Sequence, residues 1–399
     1  MDRKKFIKSF TAGSMGAAAL GMGSSVSAKK DTKVSMDVKK PLMKVGCQSR
    51  MSAQTGTSKE TLEYFARHGV FHINPGPPRS NDDGIWDLDH ARQQVEEAAE
   101  YGISIWARHL PLTSGERYTE EGIDNIRFPN IMLGNSPERD REIEDVQKLI
   151  EVAGRSGLPR LMYNTTILPV LRTGRTVDPT RGNASYSTWD YEEALRTGMD
   201  QETTLAGRVD NDEIFERITY MLDRILPVAE EYNVKLANHI ADPPVADFFQ
   251  GIMRWNSPDV FEQIKKFAEL YDSPSHGFHF CVGSVGEGLE DPYSEIIPIV
   301  KWVGERNQLF NIHLRNIKGG FGYFEEVYPD NGDMNFVQVM RALRDVEYEG
   351  MVMPDHVPQH EDPESGRQAF VFGYGYIKAL IQMLEDEAGY WNPDHRTIT

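Results

Sequence analysis

Short apolar or β-branched runs recur along the chain at Lys44–Ser49, Phe71–Pro75, Ile103–His109, Arg160–Thr165, Lys235–Ala241, Gly277–Gly283, Leu309–Arg315 and Met351–Val357. Between them the apolar spacing lengthens to that of a helix face. Asp89–Gly102 and Pro137–Gly157 are charged and amphipathic, and both end at Gly, a common residue just past a helix C-terminus. Asp212–Tyr232, Ser257–Tyr271, Pro292–Glu305, Phe336–Val346 and Ala369–Glu387 follow the same pattern. Thr57 and Glu60 have capping-box spacing and open the first helix. Strand alternating with helix predicts parallel strands joined by right-handed crossovers. Eight such units closing on themselves give an α/β fold of the (β/α)8 TIM-barrel kind. An open doubly wound sheet is the alternative, but no Gly-x-Gly-x-x-Gly follows an early strand. Three connections, Pro111–Pro137, Pro169–Asp210 and Lys318–Asn335, are long for plain loops. Each follows a strand, so they are expected as functional loop insertions on the C-terminal face.

Composition narrows the function classes. The 399 residues carry 43 Lys+Arg against 61 Asp+Glu, a net charge of −18. That balance argues against nucleic acid as a partner, because phosphates are repelled. A local metal or arginine cluster can still hold a small anion. Two cysteines exclude a disulfide scaffold and a Cys-rich zinc module. Residues 1–28 read as a cleavable signal: basic Arg3-Lys4-Lys5, a weakly apolar run from Ala12 to Val26, then Val26-Ser27-Ala28. The segment resembles a twin-arginine signal, with Arg3-Lys4 in place of Arg-Arg. Residues 29–43 read as a polar linker and 44–399 as the barrel. The expected location is therefore exported and periplasmic, without stable membrane association after cleavage. Without a working signal it is the cytoplasm. Self-association into a homo-oligomer is compatible with such a chain.

Candidate chemistry gathers at the ends of the last four strand runs. They read Asn238-His239-Ile240-Ala241-Asp242-Pro243-Pro244, His279-Phe280-Cys281-Val282-Gly283-Ser284, Ile312-His313-Leu314-Arg315 and Met353-Pro354-Asp355-His356. Strand ends of a barrel share one rim, so His239, Cys281, His313 and Asp355 are expected to converge. Two imidazoles, a thiolate and a carboxylate suit a borderline divalent metal. Taken singly, each is weak. A strand His is more often a bonded core residue, a strand Cys an inert hydrophobe, and an Asp after Pro a loop cap. The specificity lies in the joint pattern.

These motifs resemble those of the mannonate dehydratase family, within the xylose-isomerase-like barrels. The likeness rests on His239-x-x-Asp242-Pro243-Pro244, Cys281-x-Gly283-Ser284, His313-Leu314-Arg315 and Pro354-Asp355-His356, with weaker echoes at Tyr163-Asn164, Asn331-Gly332-Asp333 and Gly373-Tyr374. Arg172-Thr173-Gly174-Arg175-Thr176 stands where the family commonly has Asp-Trp-Thr-Arg-Thr. The resemblance implies Mn²⁺, with Fe²⁺ or Co²⁺ as substitutes, held by His239, Cys281, His313 and Asp355. It also implies a small-molecule sugar acid as partner and loss of water from D-mannonate to give 2-keto-3-deoxy-D-gluconate. That reaction needs a base for the C2 proton and an acid for the departing C3 hydroxyl. His356, beside Asp355, is expected in one of these roles, and Tyr374 is a second candidate. Arg315, two residues beyond His313, is on the same strand face and suits a substrate carboxylate. His109 and Asn164, at the ends of the third and fourth strands, are expected to bind sugar hydroxyls. The loop residues Arg172, Arg175 and Arg181 are set aside as solvated. A sugar isomerase or epimerase on the same barrel, and a non-catalytic exported sugar-acid binder, remain alternatives.

Overall fold

The computed structural model describes residues 38–48, 56–112, 115–245 and 248–390. The signal segment lies outside the described residues, as does residue 29–37 of the linker. In chain order the strands are β1 (Lys44–Gln48), β2 (His72–Asn74), β3 (Ser104–Ile105), β4 (Arg108–His109), β5 (Arg160–Tyr163), β6 (Gly174–Asp178), β7 (Ala184–Asp190), β8 (Lys235–His239), β9 (His276–Cys281), β10 (Leu309–His313), β11 (Asn316–Gly320), β12 (Tyr323–Val327) and β13 (Met351–Met353).

One sheet has the order β3-β2-β1-β13-β10-β9-β8-β5-β4, and its pairings are parallel. Its two ends, β3 and β4, come from a single stretch that the sequence reads as one strand, Ile103–His109. β3 pairs with β2 and β4 with β5, so the nine strands fill eight positions of a nearly closed barrel. Both faces of its strands are covered. Every residue of β9 and β10 is buried, as expected where helices pack outside and side chains fill the inside. The interior filling includes Ala107, Met162, Ala237, Phe310, Met351 and Met353, with Trp106 packed against them.

The helix Asn211–Glu231 shows why the outer layer forms. It buries Ile214, Phe215, Ile218, Met221, Leu222, Ile225, Leu226 and Ala229, the stripe of an amphipathic helix. A capping box starts it: Asp210 accepts from the Glu213 backbone N–H at 2.9 Å, and Glu213 accepts from that of Asp210 at 3.0 Å. Among the described residues no helix is long and apolar enough to cross a membrane.

Three differences from the sequence reading shape the mouth. The insertions Pro169–Asp210 and Lys318–Asn335 are not plain loops. They pair with each other as an antiparallel sheet of order β11-β12-β7-β6. A bridge between Ser185 and Gln359 ties this sheet to the segment after β13. In addition, β10 stops at His313 and β13 at Met353, short of the expected Arg315 and Val357. Arg315, Asp355 and His356 therefore lie on the turns above the strands, where a side chain is freed from strict alternation.

Candidate active site

Three strand ends and the turn after β13 bring the four expected donors to one place. β8, β9 and β10 are adjacent and end on His239, Cys281 and His313, with Cys281 in register with His313. Donor atoms of these three lie within 4.8 Å of one another. His313 Nδ1 is 3.3 Å from His239 Nε2 and 3.3 Å from Asp355 Oδ1. The Cys281 thiol is 3.7 Å from Asp355 Oδ2. His239 Nδ1 lies 2.5 Å from the Ile240 carbonyl, so that nitrogen donates its proton and Nε2 presents a lone pair to the cluster. His313 Nε2 abuts the Gln48 amide. The amide nitrogen is the atom that faces Nε2, and turning the amide over would let its oxygen accept there and leave Nδ1 bare.

Electrostatics agree with neutral imidazoles. Burial, then the neighbouring His313, depresses His239 to about 3. Burial also lowers His313, against the pull of Asp355. Burial pushes the Asp355 carboxyl up, but His313, His356 and Arg315 outweigh it and hold it well below the usual range. Two deprotonated-nitrogen donors and an ionised carboxylate are what a divalent cation requires. Burial raises the Cys281 thiol, with Arg315 pulling the other way, so a thiolate there calls for an adjacent cation.

Beside this cluster stands a buried charge network. Arg315 Nη1 is 2.8 Å from Asp242 Oδ2 and 2.9 Å from Glu326 Oε1, and Nη2 is 2.7 Å from Glu287 Oε1. Asp355 Oδ2 lies 3.3 Å from Nη1. Arg172 reaches the same carboxylates: Asp242 at 2.6 Å, Glu287 at 3.6 Å and Glu326 in direct contact. The Gly of the Cys-x-Gly-Ser turn has its reason here, since a β-carbon on Gly283 would collide with Arg315 Nε. His356 joins the network through Nδ1, 2.6 Å from Glu326 Oε1. Burial disfavours its imidazolium, yet Glu326 and Asp355 prevail and raise His356 above its ordinary value.

Two neighbouring cavities share His356 and Asp355 in their walls. The inner one, about 50 Å³, is lined by His109, Asn164, His239, Asp242 and His313 among others. The outer one, about 450 Å³, is lined by Arg172, Arg175, Ser187, Glu326 and Gln359 among others. His109 and Asn164 are thus brought to the donors, as expected. Arg315 and Tyr374 do not stand as expected. The side chain of Arg315 is wholly buried and its terminal nitrogens are engaged by protein carboxylates, so it braces the wall instead of facing a ligand. Tyr374 is 1% exposed on the helix Ser365–Glu387, with its hydroxyl 2.6 Å from Cys47 Sγ, and it lines neither cavity. Cys47 and Cys281 are both buried and unbridged. Gln48, Glu287 and Glu326 were not anticipated, and Arg172, set aside as solvated, is instead largely buried because three carboxylates pair with it. Gln48 ends β1 and was reachable by the same strand-end argument. Glu326 lies on β12, Glu287 just past the short helix Val282–Gly286 and Arg172 just before β6, and nothing local marks them.

Fold and site together define a class: parallel α/β barrels with a metal-type donor set at the C-terminal mouth. A xylose isomerase domain protein from Planctomyces limnophilus matches with a TM-score of 0.54 at 13% identity, over 88% of this chain and 99% of that one. The crystal structure of mannonate dehydratase from Streptococcus suis serotype 2 matches with a TM-score of 0.67 at 23% identity, over 87% and 96%. The family model described as D-mannonate dehydratase (UxuA) matches residues 187–392. A mannonate dehydratase of Thermotoga petrophila is 30% identical over 304 residues, 68% of this chain and 78% of the relative. One from Streptococcus agalactiae is 29% identical over 255 residues, 57% and 69%. The chain belongs to the mannonate dehydratase family and is an enzyme of it.

Proposed function

We propose that the chain converts D-mannonate to 2-keto-3-deoxy-D-gluconate and water, using a divalent ion of the Mn²⁺ type held by His239, Cys281, His313 and Asp355. Fe²⁺ or Co²⁺ would substitute. The observation that carries this reading is the meeting of those donors with His356 and its Glu326 partner where the two cavities share a wall. When bound, the ion would withdraw charge from the substrate carboxylate as the C2 proton leaves. His109 and Asn164, which line the inner cavity, would hold sugar hydroxyls. His356 is the proton carrier. Burial disfavours its charged form but Glu326 and Asp355 favour it; the neutral ring would take the C2 proton and the charged ring return one to the departing hydroxyl. Arg315 and Arg172 fix Glu326 and so the orientation of His356. The basic and weakly apolar N-terminus extends the proposal to an exported, periplasmic enzyme.

The test is a panel of aldonates incubated with the protein and each metal, scored for 2-keto-3-deoxy products. Product from D-mannonate supports the reading. A rearranged, still hydrated sugar would replace it with an isomerase.

A further inference from the structure

Lys44, Arg160 and Lys235 open β1, β5 and β8, at the end of the barrel opposite the metal-type donors. Lys44 is in register with Met351, and Arg160 with Lys235. Register partners on parallel strands point to the same face, and Met351 belongs to the interior filling, so Lys44 turns inward. Arg160 does the same: its guanidinium carbon lies 3.7 Å from the centre of the Trp106 ring, which packs on that filling. Lys44 Nζ lies 5.3 Å from the same ring centre. Lys235 Nζ lies 4.7 Å from the ring centre of Phe310, another member of the filling. Three cations thus gather on one floor of aromatic rings.

Their charge is not answered by the protein. Among the described residues none of the three forms an ion pair, and Arg160 makes no hydrogen bond. Its Nε is fully buried without a partner, while the residue as a whole is partly exposed, which leaves a ligand a way in. Lys44 Nζ donates to the backbone carbonyl of Glu349 at 3.3 Å. The Glu349 carboxylate is exposed and acts on all three only at longer range. His72 beside them is held neutral, by burial first and then by Lys44 and Arg160. Aromatic faces offset part of the charge but offer no oxygen to the guanidinium edge. Arginine is seldom withdrawn from water without such a partner, and like charges held together add to the cost. An anion rich in acceptors relieves both. The net −18 repels anions at long range, but a local cluster prevails at contact.

We propose that Lys44, Arg160 and Lys235 form a binding site for a small tetrahedral oxyanion, phosphate or sulfate, separate from the active site. The Arg160 fork supplies directed N–H donors, and the two ammonium groups supply charge to the remaining oxygens.

The test is a calorimetric titration of the full chain with inorganic phosphate near neutral pH. Chloride holds the ionic strength constant, and EDTA keeps the donor cluster at the other end free of metal. One equivalent is expected to bind with a Kd of about 1 mM or tighter. Arg160→Met keeps an apolar contact with Trp106 and removes the fork. The double variant Lys44→Met with Lys235→Met keeps both stems and removes two charges. Each, checked for native circular dichroism, is expected to weaken phosphate binding at least about tenfold. If Arg160→Met does not fold, the lysine variant decides alone. Absence of saturable binding at that strength overturns the proposal. So does binding that the folded variants weaken by less than that, which would seat the phosphate elsewhere.

Discussion

At Cys281 burial holds the sulfur as a thiol unless a cation stands beside it, and Asp355 and His313 are the groups that would share that cation. Cys281→Ser keeps the volume and replaces a soft donor by a hard one. Metal content after dialysis is therefore expected to fall by about tenfold or more with the melting curve of the apo-protein unchanged. Metal retention equal to wild type would remove Cys281 from the ligand set. His356→Asn differs in kind: it keeps a polar group on the turn but loses the titrating ring. It is expected to hold metal normally and to lose about 10²–10⁴ in kcat. Arg315 argues a third case, because its guanidinium is the counter-charge of several buried carboxylates. Arg315→Leu strands those charges and is expected to cost about 3–5 kcal/mol in urea unfolding. Arg181→Ala, which frees only the partly exposed Asp330, should cost under about 1 kcal/mol. If the two variants unfold alike, the network is not structural. The donors were legible in the sequence because each stands two residues before the end of one of four successive apolar runs. Glu287 and Glu326 were not, since an acidic residue gives no local sign that an arginine distant in sequence will bury it.

Elements set how well each part could be foreseen. The helix read at Asp212–Tyr232 is observed at Asn211–Glu231, and the one at Phe336–Val346 at Phe336–Asp345, because caps and apolar stripes are local. The lid sheet escaped because its strands pair across long separations, β12 with β7 over more than a hundred residues, and much of β6 is exposed. Without a buried face a strand has no strong period to read. Asp210 tests the local side of this account. It satisfies a backbone N–H at the start of a helix whose buried stripe packs on the barrel. Asp210→Ala is expected to lower stability by about 1 kcal/mol, and Asp210→Ser to restore most of it. A null result in both would mean that packing alone starts that helix.

Across the whole molecule the charge is segregated against the net −18. The opening residues of β1, β5 and β8 are Lys44, Arg160 and Lys235, so cations gather at the end of the barrel opposite the site. Lys44 and Arg160 lie over the Trp106 ring and Lys235 over that of Phe310. His72, the first residue of β2, sits among them, edge-on to Trp106 at 5.6 Å. Burial, then Lys44 and Arg160, depresses it to about 4. Its ordinary value is about 6.5. Above that pH the ring is neutral in both folded and unfolded chains and contributes nothing to pH dependence. Below it the unfolded chain takes up a proton that the folded chain refuses, so stability falls as pH drops from about 6.5 to about 4. The full loss is on the order of 3 kcal/mol. His72→Phe keeps an aromatic ring against Trp106 and cannot charge. Urea unfolding at pH 7 and 4.5 should therefore show wild type losing about 2–3 kcal/mol more than the variant over that interval. Parallel losses in the two proteins would show that the cationic end of the barrel does not hold His72 neutral.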